Sequence, residues 1–210
     1  MVSAPFITFE GPEGAGKSTV IEDLTPDFDQ YFNGHFLVTR EPGGTPIAEG
    51  IRQLLQTDDS QGMDPWTEAY LFAAARRQHL TATVLPALKA GQAVISDRYL
   101  DSSLAYQGGG RQLGVDQIYQ LNHYATQGLM PDLTLYLDLP VELGLERIMS
   151  QRGDKIDRLD KEDLAFHERV RDTYLTLQEQ FSDRIKIIDA SQPLPQVVDD
   201  VRAVLAAWRK

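Results

Sequence analysis

Cysteine is missing from all 210 residues, which excludes disulfides, thiolate metal sites and cysteine nucleophiles. Long apolar runs are missing as well. The longest are short pieces such as Ala69–Ala75, far below the roughly 18 residues that a membrane span requires. The N-terminal stretch has no basic segment leading into an apolar run and a cleavage site, so no export signal is read and a cytoplasmic location is expected. Cations are scarce: 20 Lys and Arg stand against 31 Asp and Glu, a formal net charge of −11. Nucleic acid is thereby excluded as a partner, because binding it depends on many Lys/Arg contacts to phosphate. His35, His79, His123 and His167 are scattered without the spacing of metal ligands. An acidic chain can still hold a small polyanion if its few cations gather in one pocket. Where Lys and Arg fall relative to phosphate-binding backbone is therefore the question to ask.

No repeat, low-complexity tract or linker interrupts the chain, and its length suits a single domain over residues 1–210. Short apolar runs at Phe6–Phe9, Phe36–Thr39, Ala93–Ser96, Leu133–Leu137 and Ile185–Ile188 read as strands. Between them lie helical patterns near Lys17–Leu24, Pro46–Leu55, Pro65–Lys89, Ser102–Tyr106, Val115–Ala125, Val141–Ser150, Asp163–Phe181 and Gln196–Trp208. Pro86 is expected to bend or end the third of these helices. Buried strands alternating with amphipathic helices predict an α/β fold, a three-layer α/β/α sandwich around a five-stranded parallel sheet. Ligands of such sheets bind beyond the carboxyl ends of the strands.

The first strand runs directly into GPEGAGKS, a full match to G-x-x-x-x-G-K-[ST], with a helical stretch after it. This P-loop implies a P-loop NTPase fold and a nucleoside triphosphate site. Its glycines let successive N–H groups point at one anion, and the following helix adds its positive end. Gly11, Pro12, Glu13, Gly14, Ala15, Gly16, Lys17, Ser18 and Thr19 are the candidate ATP-binding residues. Lys17 can place a point charge on the β- and γ-phosphates, and the Ser18 hydroxyl can ligate Mg²⁺. The third strand ends in Ser96-Asp97-Arg98-Tyr99. A carboxylate leaving a buried strand beside a P-loop is placed to hold Mg²⁺ or its water, and Arg98 can grip an acceptor phosphate through two parallel bonds. In isolation Asp97-Arg98 would read as a surface pair ending a strand; the P-loop reverses that preference.

With Gly11–Ser18 and DRYLDSSLAYQG (Asp97–Gly108) together, the sequence resembles thymidylate kinases. TREPGGT at Thr39–Thr45, LFAAARRQH at Leu71–His79 and DRLD at Asp157–Asp160 follow in that family's order. The resemblance implies transfer of the γ-phosphoryl group of ATP to dTMP, giving dTDP and ADP and supplying dTTP for DNA synthesis, with Mg²⁺ as cofactor. It implies that Arg40, Arg52 and Arg98 hold the acceptor phosphate, and that Glu13 accepts the sugar 3′-hydroxyl. Glu41 would orient Arg40 or a metal-bound water. Phe72 would stack on thymine and Arg76 would donate to its O4, the two sharing one helical face. Ser103, Tyr106 and Gln107 would share another face, with Gln107 accepting the N3–H and Tyr106 excluding a 2′-hydroxyl. A segment near residues 150–160 would be a lid carrying the catalytic arginine, because this P-loop has none. Arg152 is the first choice and Arg158 the second. A homodimer is implied on the same basis.

Other P-loop proteins fit less well. A guanine-reading switch needs N-K-x-D, which is absent, and Asp59-Ser60-Gln61-Gly62 matches D-x-x-G but follows no apolar strand. A deoxynucleoside kinase has a neutral acceptor, which leaves the phosphate-directed arginines unexplained. An inactive binding module would not need Lys17, Ser18, Asp97 and Arg98 together.

Overall fold

The computed structural model describes residues 4–152 and 157–208, apart from the side chains of Gln151 and Arg152. The described residues form one five-stranded, wholly parallel sheet in the order β2-β3-β1-β4-β5. The strands are β1 (Phe6–Glu10), β2 (Phe36–Arg40), β3 (Ala93–Asp97), β4 (Leu133–Asp138) and β5 (Ile185–Asp189). Each runs one residue beyond its apolar stretch and ends on a charged side chain, so Glu10, Arg40, Asp97, Asp138 and Asp189 all lie along the carboxyl edge.

Side chains alternate across the sheet, and both faces are apolar. On one face Ile7, Phe9, Ile95, Leu135 and Leu137 pack against α1 (Lys17–Phe32) and α9 (Leu194–Trp208). On the other, Phe6, Val94, Tyr136 and Ile185 meet α3 (Pro65–His79), α4 (Leu85–Lys89), α6 (Val115–Thr126) and α8 (Leu164–Gln180). Two cores separated by one sheet make the expected three layers. The remaining helices are α2 (Pro46–Gln56), α5 (Leu100–Ser103) and α7 (Val141–Arg152). No helix among the described residues is long and apolar enough to cross a membrane.

Three helical expectations need correction. Helix α1 does not stop at Leu24 but continues through Pro26 to Phe32. One missing N–H is outweighed by burial of Phe28, which is wholly inaccessible and packs edge-on against Phe9 and Phe36. The long pattern Pro65–Lys89 is not one helix. A π-helical turn at Leu80–Val84 separates α3 from α4 just ahead of Pro86, closed by Leu85 N–H, the last donor before the proline, reaching back five residues to Leu80 O. The segment from Ser102 continues past Tyr106 as a second π-helical stretch, Leu104–Gly110, closed by Arg111 N–H donating to Tyr106 O at 2.8 Å. Glycine is required there by contact: a Cβ on Gly109 would lie 1.9 Å from Thr173 Oγ1 on α8.

Candidate active site

β1 and β3 are neighbours, with Phe9 opposite Asp97, and Arg40 lies opposite Asp97 on the other side. The P-loop, the Asp97-Arg98 pair and Arg40 therefore leave the sheet in one row. They open into a cleft of about 380 Å³ between these strand ends, α2, α3 and the π-helical stretch.

The loop after β1 wraps tightly because its glycines carry no side chains at the points of closest approach. A Cβ on Gly14 would come within 2.5 Å of Gly144 O on α7, and Gly16 takes φ +81° to start α1. That helix has no side-chain cap and no acid in its first turn, so its leading N–H groups face the cleft uncompensated. Lys17 is buried, with Nζ donating to Gly11 O (3.0 Å) and Pro12 O (2.9 Å). Burial and the nearby Arg98 charge push its pKa down to about 8. A cation disfavoured in this way gains from an entering anion. Ser18 Oγ donates to Asp97 Oδ2 at 2.6 Å, which brings two hard oxygen groups together beside the loop.

Arg98 is the joint between the two halves of the cleft. It stands at φ +72° immediately after β3, and its guanidinium donates to Gly11 O, Ser102 Oγ and Glu13 Oε1 at 2.7–2.9 Å. It also lies 5.1 Å from the centre of the Tyr106 ring. Behind it, Ser102 Oγ donates to the fully buried Glu10, which also accepts from Tyr174 Oη and Tyr99 N–H. Arg40 and Arg52 approach from the end of β2 and from α2. Burial and the Arg40 charge both lower the Arg52 pKa, the crowding of like charges expected around an anion site.

The far end of the cleft is built on Arg76, which is 2% exposed. Its Nε donates to Glu41 (2.8 Å), Nη1 to Ser103 Oγ (3.0 Å) and Asn122 Oδ1, and Nη2 to Tyr99 O (2.8 Å). Of its five N–H groups, one on Nη2 is left without a partner among the described residues. Phe72 lines the cleft one helical turn before it. Gln107 Nε2 donates to Glu68 Oε1 at 2.9 Å, so the carbonyl end of its amide is the one left for a ligand.

The cleft thus has a phosphate cradle at one end and a polar, aromatic pocket at the other. The sequence profile described as Thymidylate kinase matches residues 9–201. A thymidylate kinase of Leuconostoc citreum is 64% identical over 200 residues, 95% of this chain and 94% of that protein. The chain belongs to the thymidylate kinase family. Another member, from Limosilactobacillus fermentum, is 52% identical over 98% of this chain and 96% of its own length. The crystal structure of thymidylate kinase from Ehrlichia chaffeensis has the same fold at a TM-score of 0.79 and 31% identity, covering 97% of this chain and 99% of that one. As a member of this family the chain is a phosphotransferase.

Most of the residues that the thymidylate kinase resemblance points to meet in the cleft: Glu13, Gly14, Gly16, Lys17, Ser18, Thr19, Arg40, Glu41, Arg52, Phe72, Arg76, Asp97, Arg98, Ser103, Tyr106 and Gln107 all line it. Gly11, Pro12 and Ala15 do not; Gly11 O and Pro12 O instead hold Lys17. Two residues have other partners in this structure. Glu41 does not orient Arg40, which pairs with Glu49 at 2.7 Å. After β2 the Glu41 side chain turns into the protein, where it holds Arg76 and His79 Nδ1 (3.0 Å). Arg158 does not line the cleft. It is 7% exposed and donates to Glu68 Oε2 (2.6 Å) and Leu55 O (3.2 Å), so its charge is already neutralised. The Arg152 side chain and the centre of the expected lid, residues 153–156, lie outside the described residues.

The sequence reading missed Glu68, Tyr99, Ser102, Asn122 and Arg147, which frame or line the same site. Glu68 had a signal, standing four residues before Phe72 and eight before Arg76 on one helical face. Arg147 had none; it reaches the P-loop through Gly14 O (3.4 Å) only because α7 packs there.

Proposed function

We propose that this chain transfers the γ-phosphoryl group of ATP to the phosphate of dTMP, giving dTDP and ADP. The observation that carries it is Arg98, which touches the P-loop through Gly11 O and the base pocket through Tyr106. An acceptor phosphate held there lies between a triphosphate cradle and a pyrimidine-sized pocket. Both substrates are anions, so the barrier is largely one of bringing like charges together in line. Lys17 on the donor, and Arg40, Arg52 and Arg98 on the acceptor, offset that repulsion. Ser18 and Asp97 fit Mg²⁺, which prefers few carboxylates with water and phosphate completing its shell. When bound, the ion would neutralise charge on the donor phosphates.

Base selection follows from the polar pocket. The remaining Arg76 N–H faces a carbonyl such as thymine O4, and the Gln107 carbonyl accepts N3–H. Cytosine would meet a donor with a donor and an acceptor with an acceptor, leaving buried polar groups unpaired. Phe72 stacks on the ring, Tyr106 stands against a ribose 2′-hydroxyl, and Glu13 accepts the 3′-hydroxyl. The test is a coupled ADP-release assay across nucleoside monophosphates. Turnover is expected to be fastest with dTMP, and a chain that consumes no Mg-ATP with dTMP present does not have this function.

We further assign residues 1–210 to one kinase domain with a lid near residues 150–160, closing over ATP and supplying Arg152 to the transferred group. Arg152→Ala is expected to lower kcat by roughly 10²–10³ while the KM for dTMP moves less than threefold, the pattern of a contact made only in the transition state. An unchanged kcat removes Arg152 from the chemistry. A cytoplasmic homodimer is part of the same reading. Ile47 and Leu54 on α2, Trp66 and Tyr70 on α3 and Tyr124 on α6 leave apolar side chains 37–82% exposed on packed helices. Sedimentation at twice the 23.5 kDa chain mass checks it.

A further inference from the structure

Glu68 carries no exposed surface, yet three side chains converge on its carboxylate. Oε1 accepts from Gln107 Nε2 at 2.9 Å, while Arg158 Nη2 (2.6 Å) and Arg111 Nη2 (3.1 Å) donate to Oε2. Burial pushes this carboxyl up, but hydrogen bonds from Arg111 and Gln107, with the Arg111 charge, outweigh it and hold it below the usual carboxylate range. An ionised carboxylate offers only acceptors. The amide end that Gln107 turns toward it must therefore be the NH₂ end. A neutral neighbour could donate as well as accept, and the amide could then turn over.

We propose that Glu68, clamped by Arg158 and Arg111, is a positioning residue that fixes the Gln107 amide with its carbonyl toward the base, so that a pyrimidine carrying N3–H is accepted and one with a bare N3 is rejected. This rests on the reading of Gln107 as the group that contacts N3. It also gives Arg158 a task away from the phosphates: its bond to Leu55 O ties the Glu68 clamp to the end of α2.

The test measures kcat/KM for dTMP and dCMP in the wild type, Glu68→Gln, Gln107→Ala and the double variant. In Glu68→Gln an amide of nearly the same shape can offer either oxygen or NH₂ to Gln107, so both orientations become available. The dTMP:dCMP ratio is expected to fall on the order of tenfold, a fraction of what a fixed hydrogen-bonding site can discriminate. Gln107→Ala should lower the ratio at least as far, and the double variant no further than Gln107→Ala alone, because Glu68 acts through Gln107. Equal losses on both nucleotides with the ratio kept would overturn the proposal, as would ratio losses that multiply in the double variant. Glu68→Gln alone strands the buried Arg158 guanidinium and invites misfolding. The comparison is therefore repeated in an Arg158→Met background, where Arg111 keeps its 2.6 Å pair with Glu162. A ratio that Glu68→Gln leaves unmoved there also overturns the proposal. A wild type without preference for dTMP refutes the base-reading assignment beneath it instead, so the two failures are told apart.

Discussion

Lys17→Ala is expected to lower kcat for phosphoryl transfer by at least about a thousandfold, the scale set by removing a charge that stabilises a transferring phosphoryl group. Nζ sits inside the loop on both Gly11 O and Pro12 O, whereas Arg98 reaches only Gly11 O. The fold should survive. Burial already disfavours the ammonium, whose pKa is pushed down to about 8. A lysine with a lowered folded-state pKa binds its proton less tightly than the unfolded chain does, so its charge is a cost to stability at neutral pH. Alanine removes that cost together with two hydrogen bonds. ADP release and a thermal melt on one preparation check both halves, and normal turnover in a folded variant would refute the P-loop assignment.

Arg98→Ala is expected to lower kcat/KM for dTMP by roughly 10²–10³, with Arg98→Lys recovering only part of it. Alanine removes the acceptor-phosphate cation together with its 2.7 Å ion pair to Glu13, so less positive charge stands where the two anionic substrates must meet. Lysine restores the charge. It lacks the planar fork that spans Gly11 O, Ser102 Oγ and Glu13 at once and that lies over Tyr106. The backbone at φ +72° is equally strained in both variants, so their difference isolates the side chain. Varying dTMP at saturating ATP measures it. An unchanged kcat/KM in Arg98→Ala excludes the phosphate role.

The sheet was legible because its strands are buried on both faces and so appear as short apolar runs. The end of the third run pointed directly at Asp97 and Arg98, and the family resemblance added Arg40. The P-loop was legible for a similar reason: its glycines and Lys17 act within eight residues of one another. The helices were harder. Nothing local in Leu80–Val84 or Leu104–Gly110 announces a π-helical turn; each arises where Pro86 or the close approach of α8 forces the chain to open. The partners of Glu41 and Arg158 were not legible, because a charged residue after a strand or within a lid-like segment has many partners available and sequence cannot rank them.

Sequence alone determined the cradle, the parallel sheet and the gathering of cations at strand ends, because backbone geometry and hydrophobic periodicity operate over a few neighbouring residues. Tertiary structure alone decided which carboxylate each donor takes: Arg76 finds Glu41 across 35 positions, Gln107 finds Glu68 across 39, and Arg158 finds Glu68 across 90. Those pairings require buried, directional hydrogen bonds, whose geometry exists only once the helices are packed.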